Sequence, residues 1–259
     1  MKSLGRAGQL LLTVFTVAAV ASCLPKAGTD VGNGLTVKLN LQATPELAAK
    51  QEQAKALASG VVIDELWVTT VKFRLTPGAD CESPDPGVDI PGPAFADLLG
   101  PGFVGGSRMF ETMTDTFCKL SFEFDEAKGA ELPVGAPPEL ADAALFMRGH
   151  RADGVVFTVR SRAKDSVKLD AKDGSFELDG EEHALVVGFD LDAATTALAL
   201  DTLPGDPIVV DDKTNASALK AFEKAIRTSA KLFDDDDEDG KLSPAEANAE
   251  HELGHGGPE

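Results

Sequence analysis

Alternation of apolar and polar residues dominates the middle of the chain. Residues 34–42 place Val37, Leu39 and Leu41 on one face and Lys38 and Asn40 on the other, the period-two pattern of a half-buried strand. Residues 61–75 (VVIDELWVTTVKFRL) are β-branched and aromatic and predict the longest strand, with Trp67, Thr69, Val71, Phe73 and Leu75 sharing a face. Residues 116–124 (TFCKLSFEF) alternate cleanly, Cys118, Leu120, Phe122 and Phe124 pointing inward. Further strands are expected at 143–149, 154–162, 165–170, 174–178 and 184–191, with Asp173-Gly174 and Asp179-Gly180 supplying turn chemistry. About eight strands joined by short turns predict a mainly β fold, an antiparallel β-sandwich or barrel.

The period changes in three places. Residues 45–58 predict a short helix, with Thr44 as N-cap, Pro45 at the first position and Gly60 past the end. Residues 192–201 also read as helical, and 207–210 as an edge strand opened by Pro207. From 215 to 233, Leu219, Phe222, Ile226 and Phe233 fall on one stripe with Lys and Glu opposite, the pattern of an amphipathic helix. Between the strands, 76–107 is dense in Pro and Gly and predicts loops around a short strand near Val88–Ile90 and an apolar patch at Phe95–Leu99.

The N-terminus follows a different logic. Lys2 and Arg6 precede an apolar run from Leu10 to Val20, and Val20-Ala21-Ser22-Cys23 closes it. That is a secretory signal whose ending resembles the bacterial lipobox, in which the cysteine is acylated and the bond before it is cut. The expected organisation is a lipoprotein signal peptide over 1–22, a lipid-anchored tether over 23–33 beginning at Cys23, a β-sandwich domain over 34–210, and a helical appendage over 211–259. Leu24, rather than Asp, follows the cysteine and favours the outer membrane.

Charge narrows the partners. Lys and Arg number 24 against 43 Asp and Glu, a formal net charge of −19, which argues against nucleic acid because phosphate contacts need clustered cations. Expected partners are the membrane, through the lipid anchor, and an envelope protein or glycan. Cys81 and Cys118 are the cysteines left after Cys23. In an exported chain with no CxxC spacing they predict a disulfide.

The densest charge carries chemistry. Asp235, Asp237, Asp239, Gly240 and Glu246 fit D-x-[DN]-x-[DN]-G-x₅-E, the EF-hand calcium loop. Alternate carboxylates converge on a point that Ca²⁺ fills with six to eight oxygens, Gly240 makes the sharp turn, Lys241 offers its carbonyl, Leu242 anchors, Ser243 offers a hydroxyl or a water, and Glu246 closes the shell. Ser243-Pro244-Ala245-Glu246 is also a capping box, so an exiting helix should begin there. The sequence thus predicts a C-terminal helix–loop–helix. Asp234 stands where an aromatic usually precedes the first ligand, and the hand is unpaired, so affinity in the range of about 10⁻⁴–10⁻³ M and a structural role are expected.

His251-Glu252-Leu253-Gly254-His255 matches H-E-x-x-H. On a helix it would present two zinc ligands and a general base, making a zinc-dependent hydrolase the alternative reading. Gly254, Gly256 and Gly257 disfavour that helix, and Glu259 is the one acidic candidate downstream. No G-x-S-x-G, Walker or G-x-G-x-x-G pattern occurs.

Taken together, the lipobox, the β-rich body, ALVVGFDLDAATTALALD (184–201) and PIVVDDKTNASALKAFEKAIRTSAKLFDDDDEDGKLS (207–243) resemble uncharacterised Gram-negative lipoproteins with a C-terminal D-x-D-x-D-G loop. The resemblance implies an immunoglobulin- or transthyretin-like sandwich and no assigned activity. The functional expectation is a lipid-anchored, calcium-stabilised binding or structural module of the cell envelope, with no catalytic residues.

Overall fold

In a computed structural model, residues 34–44, 57, 60–81 and 87–257 are described. The signal peptide, Cys23, the tether and nearly all of the helix expected over 45–58 lie outside them. No described helix is long and apolar enough to cross a membrane.

The strands are β1 (Leu35–Ala43), β2 (Val62–Pro77), β3 (Val88–Asp97), β4 (Gly102–Phe103), β5 (Arg108–Thr112), β6 (Thr116–Phe124), β7 (Leu145–His150), β8 (Val156–Ser161), β9 (Asp165–Ala171), β10 (Phe176–Glu177), β11 (Glu182–Phe189), β12 (Ile208–Val210), β13 (Ala230–Asp234) and β14 (Glu252–Gly256). Helices α1 (Leu191–Leu198) and α2 (Ala216–Ser229) flank β12. The strands form one sheet in the order β12-β8-β7-β2-β6-β9-β14-β13-β11-β1-β5, with β3 on β2, β4 on β3 and β10 on β6. The fold is therefore mainly β, as expected, but not wholly antiparallel. β1 runs parallel to β11, and β12 parallel to β8.

The sheet curls strongly. Phe122 on β6 and Phe189 on β11 have ring centroids 6.3 Å apart, although β9, β14 and β13 separate their strands. In a flat sheet four strand spacings would hold them about 19 Å apart. At the far end Arg108 of β5 donates to the Pro91 carbonyl of β3 at 3.1 Å, so the two ends of the curl approach each other. One large core fills the concave side, from Leu39 and Leu41 through Phe73, Phe122 and Phe189 to Leu198, Phe222 and Ile226 of the helices.

The long strand does not keep one face. Leu66 and Val68 point into this core, and so do Phe73 and Leu75, which have the opposite parity. A register shift between Thr70 and Lys72, against both β3 and β6, supplies the extra residue. Such a bulge reverses the alternation beyond it. Trp67, expected to share a face with Phe73, therefore packs on the opposite side with Leu140 and Phe146.

The C-terminal segment departs most from the expectation. The helix stops at Ser229, and Ala230–Asp234 pairs with β11 as a strand. Ala230 and Leu232 enter the main core while Phe233 packs outward with Val186 and Leu242, so both faces of β13 are covered. That pairing outweighs the helical period, a tertiary contact overriding a local preference. β14 then lies between β13 and β9, inside the sheet. Residue 211 is therefore not a boundary of the sheet, and the described residues on either side of it belong to one compact unit. The helix–loop–helix expected around the acidic loop is corrected to strand–loop–turn–strand.

Candidate functional site

β1 presents Lys38, Asn40 and Gln42 on its convex face. The acidic loop runs across them in a constant register. Lys38 Nζ lies 4.0 Å from Glu238 Oε2, Asn40 Nδ2 donates to the Gly240 carbonyl at 2.5 Å, and Gln42 Oε1 accepts from the Leu242 amide at 3.0 Å. Gln42 Nε2 adds a second donor to the Gly240 carbonyl at 3.1 Å. Leu242 is 3% exposed and packs on Val186 and Phe233, so the position-eight anchor works as the motif requires. A Cβ at Gly188 would sit 2.9 Å from Leu242 Cδ2 and 3.0 Å from Phe233 Cε2, so any larger residue would have to displace the side chains of this anchor.

Within the loop, Asp235, Asp237 and Asp239 each bring a carboxylate oxygen within 4.8 Å of the other two. Short local bonds produce this convergence. Asp235 Oδ2 accepts from the Gly240 amide at 2.8 Å, Asp237 Oδ1 from Asp239 at 3.2 Å, and Asp239 Oδ1 from Lys241 at 2.7 Å. Gly240 adopts φ +76°, a left-handed turn that suits glycine. The capping box forms as expected: Ser243 N donates to Glu246 Oε2 at 2.8 Å, and Glu246 N to Ser243 Oγ at 3.3 Å. A single turn follows it, rather than a helix.

The six consecutive acids divide their work by parity. Asp234 meets His183 at 2.8 Å, Asp236 meets His251 at 3.4 Å, and Glu238 faces Lys38. Asp235, Asp237 and Asp239 converge on one another instead, Asp239 also lying 3.5 Å from the exposed Lys241 ammonium. Asp235 is the centre of the strain. It is 2% exposed, and its Oδ1 is buried with no hydrogen-bond partner. Burial pushes its carboxyl up from 3.8 to about 6, opposed by the Gly240 amide and reinforced by the charges of Glu246, Asp239 and Asp237. Glu246 is itself 5% exposed. An all-oxygen donor set with a buried, unpartnered carboxylate oxygen suits a hard divalent cation such as Ca²⁺.

Of the expected ligands, Asp235, Asp237 and Asp239 are thus brought together. Glu246 is buried close enough to act on Asp235 but stands outside the trio, Ser243 Oγ is engaged in the cap, and the Lys241 amide braces Asp239. Cys81 and Cys118 are joined as a disulfide, Cα atoms 5.7 Å apart, pinning the loop after β2 to β6. Sequence reasoning missed Asn40 and Gln42. The available signal was a row of uncharged amides on the outward face of a strand expected to meet solvent there.

The H-E-x-x-H residues are arranged differently from a zincin. Residues 252–256 are extended, and four residues of strand span about 13 Å against about 6 Å for a helical turn. Glu252 is held by Lys231 at 2.7 Å and lies 3.4 Å from His255, while His251 turns to Asp236. Among the described residues, the aspartate trio is the one group of three or more candidate ligands.

No protein-family model, curated protein or solved structure matches the chain.

Proposed function

We propose that this chain is a lipid-anchored module of the cell envelope whose 235–246 loop binds Ca²⁺ as a structural ion. The buried Asp235 Oδ1, left without a partner among three converging carboxylates, is the observation that carries the reading. A bound Ca²⁺ would supply the missing positive charge and oxygen-preferring coordination there. Asp235, Asp237 and Asp239 would hold it, with Glu246 and the Lys241 carbonyl as the further ligands that the motif assigns. Anchoring at Cys23 rests on the lipobox-like run, and the Cys81–Cys118 disulfide is of the kind that persists in oxidising, exported compartments.

Calorimetric titration of the full chain with CaCl₂ tests the ion. Saturable binding that Glu246→Gln and Asp235→Asn both weaken is expected, and heat that neither variant alters would sink the proposal. Mass spectrometry of the chain from a bacterial envelope tests the anchor. Acyl chains on Cys23, absent in Cys23→Ala, are expected.

A further inference from the structure

We infer that Asn40 and Gln42 are positioning residues for the loop's cation, taking over from β1 the framing that an EF-hand obtains from its entering helix. The inference rests on the calcium reading above and adds how the site is built and what it is coupled to. β13 replaces the entering helix, so the loop leaves a strand and needs another frame. Both amide side chains supply one. Each donates to the Gly240 carbonyl, and Gln42 also accepts from Leu242, so the two flanks of the loop's sharpest turn are fixed. Neither amide oxygen or nitrogen points at the aspartates as a ligand. Their action is to hold the peptide whose amide, at Gly240, fastens Asp235.

Asn40 extends the coupling further. Its Nδ2 also donates to the Pro101 carbonyl at 3.0 Å, and its Oδ1 accepts from Phe103 at 3.0 Å and Leu41 at 2.9 Å. One side chain therefore ties β1, the turn before β4 and the acidic loop together. Ca²⁺ binding should be felt at Phe103, well outside the loop, because ordering Gly240 orders Asn40.

Gln42→Glu separates positioning from charge. It is nearly isosteric, adds a negative charge near the cation, and replaces a donor facing the Gly240 carbonyl with an acceptor. If charge governed the site, Ca²⁺ would bind more tightly. If positioning governs it, calorimetry with CaCl₂ on the full chain should show affinity falling by about tenfold, since facing a part-buried carbonyl with an acceptor in place of a donor costs on that scale. Gln42→Met, neutral and without either bond, should weaken binding in the same direction. Tighter binding in Gln42→Glu with unchanged binding in Gln42→Met overturns the inference while leaving the calcium site standing. Absence of binding in the unaltered chain overturns the calcium reading itself. Hydrogen exchange of the unaltered chain keeps the test open if a variant does not fold: Ca²⁺ should slow exchange at the Leu41, Phe103 and Leu242 amides, and unchanged exchange at Leu41 and Phe103 would refute the coupling.

Discussion

Replacing Asp235 by Asn should stabilise the metal-free chain at neutral pH, against the usual expectation for a buried polar residue. Asp235 sits 2% exposed among other carboxylates, and its carboxyl is raised from 3.8 to about 6. The folded state therefore holds the proton more tightly than the unfolded state does. Well below pH 3.8 both states are protonated and the charge costs nothing. As pH rises toward 6 the folded chain keeps a proton that the unfolded chain has released, and stability falls. Above pH 6 the full difference applies, about 3 kcal/mol for a rise from 3.8 to about 6. Asn keeps an acceptor for the Gly240 amide and removes the charge. In EDTA at pH 7 the variant should melt roughly 6–12 °C higher than the unaltered chain, at about 2–4 °C per kcal/mol for a domain of this size. The gap should shrink to near zero by pH 4. Calcium should close it from the other side, because a ligand at 100 times its Kd returns about 2.7 kcal/mol to the chain that binds it. Circular dichroism melts across pH 4–8, with EDTA or CaCl₂, measure all of this. A variant that melts lower in EDTA at pH 7, with a difference flat between pH 4 and 6, would show that Asp235 is not a buried, ionised carboxylate.

Other consequences are more local. Cys81→Ser with Cys118→Ser opens a loop spanning 37 positions and should cost about 3–4 kcal/mol in urea unfolding, with the far-UV spectrum kept. Gly188→Ala drives a methyl to 2.9 Å from Leu242 and should cost about 1–3 kcal/mol, with the loss concentrated in exchange protection of the 240–243 amides. The His183 imidazole is raised by its hydrogen bond to Asp234, so its contribution is complete below pH 6.5 and is lost as pH rises through its folded-state value. His183→Gln should therefore lower the metal-free melting temperature at pH 5.5 more than at pH 8.5, and an equal loss at both would remove the ion pair from the account.

Sequence reading located the features whose cause is local. Period-two alternation marked β1, β2 and β6 because each buries one face over much of its length. The acidic loop was legible because its spacing encodes its own backbone bonds, from Asp235 to Gly240 and from Asp239 to Lys241. What escaped was non-local. β3 was read only as a short strand near Val88–Ile90, because Pro91, Gly92 and Pro93 interrupt it, yet it runs to Asp97 and pairs along β2 from Trp67 to Leu75. The bulge near Val71 leaves no mark in composition, so Trp67 was assigned to the wrong face. β13 carried a helical stripe through Phe233, and β14 looked like an acidic tail with a metalloprotease signature. Each becomes a strand because its neighbours offer unpaired edges: β11 to β13, and both β13 and β9 to β14.

Those two C-terminal strands also bear on why the run of acids is where it is. A solvated acidic tail has no reason to distinguish odd positions from even ones. Here β13 ends at Asp234 and the chain crosses the outer row of β1, and the side-chain partners of the run divide between even and odd positions. The even positions meet His183, His251 and Lys38, basic side chains that the protein supplies from three separate segments. The odd positions converge on one another, and the most buried of them keeps one oxygen without a hydrogen-bond partner, although the Lys38 ammonium acts on it electrostatically. Lys241 is exposed and reaches only Asp239, so it does not balance the trio. The turn framed by β1 is lined by these carboxylates, an arrangement that the proposed divalent ion would complete.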